Sequence, residues 1–165
     1  MIDDAVAAMR SVGAVIVDPV VLRPMGRGAA PREVMNLGAA ETEVLLYEFK
    51  AGLNAYLTRR SSDAEVRSLA DLIACNDRHA ADEMPCFGQE RLLAAEEKGP
   101  LSEPTYLAAM AAVRRLSQVE GVDRPMNEHQ LDAIVGPTGG PAWATDLVNG
   151  DHFGGSSSGY PAVAG

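Results

Sequence analysis

At 165 residues the chain has the length of one ordinary domain, long enough to bury a core and too short for a two-domain enzyme of usual size. Its 47% hydrophobic and 22% charged content is close to the globular average, and no apolar run approaches the roughly 18 residues of a membrane helix, so disorder and membrane spanning are both disfavoured. Fourteen Lys and Arg against 23 Asp and Glu give a net charge of −9, which repels polyanions and argues against a nucleic-acid partner.

In chain order, Asp4 to Arg10 reads as a short helix, and the β-branched run Ala14–Val17, stopped by Asp18-Pro19, reads as a strand. The loop that follows carries Arg23, Arg27 and Arg32, a set that could clamp an anion but is more commonly solvated. From Glu41 to Arg59 the positions Leu45, Phe49, Leu53, Tyr56 and Leu57 recur at helical spacing and predict one buried face. Ser68 and Asp71 resemble a capping box opening a short helix, Leu69 to Ala74. A polar, irregular stretch runs from Asn76 to Gln89, and Gln89 to Glu97 reads as a further helix ending before Gly99-Pro100. Ser102 is placed to cap a fifth helix with the core stripe Tyr106, Met110, Val113 and Leu116, punctuated by Gly121. Leu131–Val135 is a second strand candidate, and the aperiodic, glycine-rich segment from Gly136 to Gly159 is the kind of long loop that is usually functional or disordered.

Several constellations have the residue types of a reaction centre. Gly155-Ser156-Ser157-Ser158-Gly159 matches the letters of a nucleophile elbow, with His129 or His152 as base to Ser157, but the elbow needs a buried strand before the serine and a helix after it. That context is not visible in the flanking residues. Cys75, Asp77, His79 and Cys86 are all zinc-binding types, at a spacing that matches no common site; a small thiol closing an apolar helix face explains Cys75 more simply. The only lysines, Lys50 and Lys98, fall on polar helix faces, where a solvated ammonium stays protonated and is no base. Glu90, Glu96 and Glu97 read as a hydrated acidic face. Two cysteines are too few for a disulfide framework and the first residues lack the pattern of a secretory signal, so the expectation is a cytoplasmic protein with free thiols.

The informative segment is Ile134–Phe153, where a strand candidate opens into a Gly/Pro loop holding the single tryptophan, Trp143, with Thr138, Thr145, Asp146, Asn149 and Asp151. Loops at strand ends are where α/β proteins place pockets; a packed Ω-loop with Trp143 as its own core is the competing reading.

Five blocks then stand in a recognisable order: Tyr47–Leu57 (Tyr-Glu-Phe-Lys-Ala-Gly-Leu-Asn-Ala-Tyr-Leu), Ser68–Asn76, Phe87–Glu90, Leu131–Trp143 (Leu-Asp-Ala-Ile-Val-Gly-Pro-Thr-Gly-Gly-Pro-Ala-Trp) and the final Tyr160–Gly165. Together they resemble the C-terminal part of amidase signature enzymes, and within these the peptide-amidase-like branch. The resemblance implies an α/β fold, a partial mixed β-sheet flanked by α-helices, here as one incomplete domain over residues 1–165 with a Gly-rich cleft loop at 136–159. It implies hydrolysis of a carboxamide C–N bond by a Ser-Ser-Lys arrangement that needs no cofactor or metal. In that family the lysine and the Gly-Gly-Ser-Ser-Gly-Gly segment lie upstream of everything matched here, so no catalytic role passes to Lys50, Lys98 or Ser156–Ser158. The expectation is therefore a piece that is inactive alone, whose partner is the missing N-terminal half. Its loop would line the cleft for a carboxamide or peptide-amide substrate through Thr138, Gly139, Trp143, Thr145 and Asp146. A non-catalytic binding or assembly module that pairs with a separate catalytic half is the alternative.

Overall fold

The computed structural model describes residues 2–22, 36–60, 64–150, 152 and 154–164. The arginine loop of Arg23, Arg27 and Arg32 lies outside the described residues, as do Asp151 and Phe153. The chain divides into two compact units, one formed by Met1–Arg27 with Val113–Gly165 and the other by Gly28–Ala112.

Helices account for every regular element among the described residues: α1 (Ile2–Ser11), α2 (Leu37–Leu57), α3 (Leu69–Arg78), α4 (Ala80–Glu83), α5 (Glu90–Glu96), α6 (Pro104–Val113), a π-helical segment (Arg114–Asp123), α7 (Arg124–His129) and α8 (Gly159–Ala164). The expected α/β fold with a partial mixed sheet is thus corrected, since no strand is present among the described residues. Ala14–Val17 and Leu131–Val135 are the two runs that read as strands, and both are non-helical and largely exposed, Val15 to 91% and Val135 to 61%. The physical reason is that β-branched composition suits a segment to a pleated surface, whereas a strand exists only where a second backbone supplies the ladder. Among the described residues neither run is paired in a ladder.

In the Gly28–Ala112 unit, α2 starts at Asn36, whose side chain accepts from Ala39 N at 2.8 Å and so satisfies a first-turn amide. Its buried residues are Leu37, Ala40, Val44, Tyr47 and Leu57. The stripe expected to be buried is mostly the opposite one: Leu45, Phe49 and Tyr56 are exposed. Ser68 caps α3 as expected, its hydroxyl accepting from Asp71 N at 3.1 Å, while Asp71 in turn accepts from Arg67 N at 3.0 Å. A side-chain hydrogen bond from Ser68 to the Asp71 carboxylate, followed by the bond from Arg67 N–H, holds that carboxyl below its ordinary range. Asn54 of α2 accepts from Leu69 N at 2.7 Å, tying the first turn of α3 to the last turn of α2. Gln89, just before α5, donates to Ile73 O and Asp77 Oδ1 and accepts from Asn76, which joins α5 to α3.

In the other unit the helix does not stop at Gly121. It passes through the π-helical segment into α7 and ends at Gln130, whose φ of 53° is the left-handed cap. Gly121 is a packing position instead: a Cβ there would lie 2.3 Å from Cε1 of the Tyr160 ring and 2.8 Å from Leu116 O. Tyr160 of α8 is 7% exposed and lies against this notch.

Candidate functional site

The glycine-rich loop runs between α7 and α8, and its two ends lie side by side. Ser157 donates from both its backbone N–H and its hydroxyl to Pro137 O, and the backbone bond measures 3.2 Å. Gly136, Gly139 and Gly140 face Ser157, Ser156 and Gly154 in turn; a Cβ at Gly136 would stand 2.9 Å from Ser157 Oγ. Small residues on both sides allow this approach. The neck is continued by α8, whose Tyr160 sits in the Gly121 notch, so one aromatic ring anchors the loop to the long helix.

Within the loop Asp146 is the organising group. Its carboxylate accepts from Val148 N, Asn149 N and Asn149 Nδ2, each at 2.9 Å, and lies 3.2 Å from His152 Nε2, while Gly150 N donates to its carbonyl. The Asn149 backbone amide is the largest of these influences, and together they hold the Asp146 carboxyl far below the usual carboxylate range. Gly150 adopts a φ of 81°, which only glycine takes at little cost, to close this turn. Thr138, Gly139, Trp143 and Thr145 are all exposed, and Trp143 at 41% is not a buried centre for the loop. Of the five residues assigned by resemblance to the cleft, four present themselves to solvent and Asp146 is committed to its own turn.

The other constellations do not assemble. The Ser157 proton goes to a carbonyl, not to an imidazole; His152 pairs with Asp146, and His129 ends α7. Although α8 follows Ser157, no strand precedes it among the described residues, and the serine's hydrogen bonds go to the Pro137 carbonyl and not to a base. Cys75 Sγ lies 3.8 Å from His79 Nδ1, but Asp77 is taken by Gln89, and no three metal-binding side chains gather among the described residues.

The two lysines are not solvated as their sequence positions suggest. Lys50 donates to Glu96 O at 2.5 Å and Lys98 O at 2.8 Å, closing the carbonyl end of α5, and its Nζ is 3.4 Å from Glu96 Oε1. Lys98 pairs with Glu43 at 2.7 Å and sits 5.4 Å from the centre of the Tyr47 ring. The phenol of Tyr47 donates to Glu103 at 2.6 Å and that of Tyr106 to Glu48 at 2.9 Å, with the two rings 5.5 Å apart. Each phenol is pushed up from its ordinary value, chiefly because its carboxylate partner accepts the proton it would lose. An open pocket of about 370 Å³ lies beside Lys50, Lys98, Asn54 and Gly99. The signal for this network in the sequence was the pair of acidic residues Glu43 and Glu48 between the apolar positions of α2, which periodicity alone leaves on a solvated face.

No protein-family model matches the chain. An Arabidopsis thaliana protein described as a probable amidase is 33% identical over 138 residues, covering 82% of this chain and 25% of that protein. The likeness is therefore to amidases. Solved structures narrow the likeness: native peptide amidase from Stenotrophomonas maltophilia is 42% identical with a TM-score of 0.80, and covers 99% of this chain over 30% of its own. The peptide amidase PAM in complex with the competitive inhibitor chymostatin gives 42% identity and a TM-score of 0.82, again over 99% of this chain and 31% of that one. The homologues of this chain are amidases and peptide amidases, as the five ordered blocks imply. It spans between a quarter and a third of their length.

Proposed function

We propose that these 165 residues are the C-terminal, substrate-side part of a carboxamide hydrolase. The observation that carries this reading is the likeness to peptide amidases over 99% of the chain. In it the Gly-rich loop at 136–159 lines the cleft. Thr138 and Thr145 offer hydroxyls, the Gly139 backbone comes close to the substrate, and Trp143 forms an apolar wall. Asp146 acts one step back, holding the turn that presents Trp143. Such a surface selects a substrate by shape and polarity and leaves bond-breaking to other groups.

The Ser-Ser-Lys groups that the family uses have no counterpart in this stretch. Lys50 and Lys98 are occupied by helix carbonyls and by Glu43, and Ser157 by the Pro137 carbonyl. The chain by itself is therefore expected to hydrolyse no amide. Two measurements test this. The purified chain, given linear carboxamides and peptide amides, releases no ammonia; turnover that disappears in Ser157→Ala overturns the proposal. Grafted in place of the matching third of the Stenotrophomonas maltophilia peptide amidase, the chain supports amide hydrolysis, and Trp143→Ala in the graft raises KM more than it lowers kcat. A graft that folds without activity, or a Trp143→Ala graft unchanged in KM, also overturns it.

A further inference from the structure

Helix α2 is apolar on two sides. Val44 and Tyr47 are buried, yet Leu45 and Phe49 on the other side are 55% and 43% exposed, and Tyr56 is exposed below them. The uncovered side forms a groove of about 380 Å³ with α5, lined by Thr42, Leu45, Leu46, Phe49, Arg91 and Leu92. A helix that is apolar all round is characteristically an interior helix, and an apolar patch of this kind on a soluble protein marks a contact surface. Helix α6 repeats the pattern, with Ala109 buried while Leu107 and Met110 are exposed. No positioned set of acids, bases or metal ligands lines this groove, so its chemistry is adhesion.

We infer that the α2/α5 groove is the seat of the remaining polypeptide of an amidase, the two-thirds of the fold that this stretch does not span; this rests on the function proposed above. Two observations select that occupant. Practically the whole chain takes the backbone form it shares with peptide amidases, in which it is 30–31% of a much longer chain, so a face it leaves bare is available to the rest. A net charge of −9 opposes the other simple occupant, a second copy of the same chain. Leu45 and Phe49 act as the anchors and Arg91 as the charged rim, the usual division of labour in a contact of this kind.

The test compares the isolated chain with the peptide-amidase graft. Hydroxyl-radical footprinting labels Phe49 readily in the isolated chain and severalfold less in the graft. Leu45→Asp and Phe49→Asp leave the helical circular dichroism of the isolated chain unchanged, since both residues are exposed there, but lower the melting temperature of the graft by several degrees. Leu45→Gln and Phe49→Gln give smaller losses in the same order. An active graft in which Phe49 stays fully labelled, or in which the Asp variants melt as the parent does, overturns the inference while leaving the amidase reading in place. An inactive graft with Phe49 protected supports the seat and counts against that reading. An isolated chain that dimerises, and is made monomeric by Phe49→Asp, assigns the groove to a second copy and also overturns the inference.

Discussion

The anchor of the glycine-rich loop can be broken by adding one methyl group. In Gly121→Ala the new Cβ meets Tyr160 Cε1 at 2.3 Å, Cδ1 at 2.6 Å and Leu116 O at 2.8 Å, all inside ordinary contact. The last is backbone and does not yield, so the ring must move. Overpacking of this kind costs about 1–3 kcal/mol. Alanine regains up to about 1 kcal/mol as a better helix former than glycine, leaving a net loss of about 1–2 kcal/mol. Tyr160→Ala removes the ring itself and costs about 3–5 kcal/mol. Without the ring only the Leu116 O contact is left, roughly offset by the helix-forming gain of alanine, so Gly121→Ala in the Tyr160→Ala background becomes close to neutral. The cycle therefore gives a coupling of about 1–2 kcal/mol, well above the scatter of independent sites. Urea unfolding followed by the emission of Trp143, the only tryptophan, reads the loop directly. With a slope of about 2 kcal/mol/M the single variant moves the midpoint by about 0.5–1 M. Equal costs of Gly121→Ala in the two backgrounds refute the notch as the loop's anchor.

Other expectations follow from single groups. The Asp146 carboxyl has a folded pKa depressed below its ordinary 3.8, so its contribution is fully present above that value and is lost as pH falls through and below it. Trp143 emission then shifts on acidification, and Asp146→Asn removes most of that shift. Tyr47 and Tyr106 are raised above 10.0, so the packing they support persists up to that pH and is lost only as it rises further; phenolate absorbance in alkaline titration shows both phenols ionising above 10.0, and Glu103→Gln and Glu48→Gln bring the respective phenol back down. Lys50→Met uncaps the end of α5 and leaves Glu96 without its cation, a loss of about 1–2 kcal/mol at this partly exposed site, measured by thermal melting. Ser68→Ala costs about 1 kcal/mol through loss of the α3 cap, whereas Ser68→Asp restores most of it.

What the sequence made legible was whatever depends on neighbours a few residues away. The Ser68 cap, the helices around Asp4–Arg10, Glu41–Arg59 and Gln89–Glu97, and the turn-forming character of the Gly136–Gly159 segment all rest on local spacing, and all have counterparts in the structure. The Asn36 cap is just as local and was passed over because the apolar period becomes clear only from Leu45 onward. The two strand readings failed for the opposite reason, since a ladder is a property of two segments and the β-branched run specifies only one. The lysines failed likewise: their partners, the Glu96 and Lys98 carbonyls for Lys50 and Glu43 for Lys98, lie about fifty positions away.

The misread face of α2 says most about the molecule. Periodicity chose Leu45, Phe49, Leu53, Tyr56 and Leu57 as the buried side; the structure buries Leu57 but leaves Leu45, Phe49 and Tyr56 exposed and buries Val44 and Tyr47 instead. Both stripes are apolar enough to be a core face, so the helix carries the pattern of an element meant to be covered twice. Among the described residues the cover over α2 is built from α3, α5 and the Tyr47–Glu103 network. The same inequality appears at Val15 and Val135, apolar and exposed. A sequence under selection only to fold by itself would have made such positions polar, because each bare apolar side chain invites association and gains nothing in return. Leu45 and Phe49 thus carry the pattern of a face that the proposed remaining polypeptide would cover.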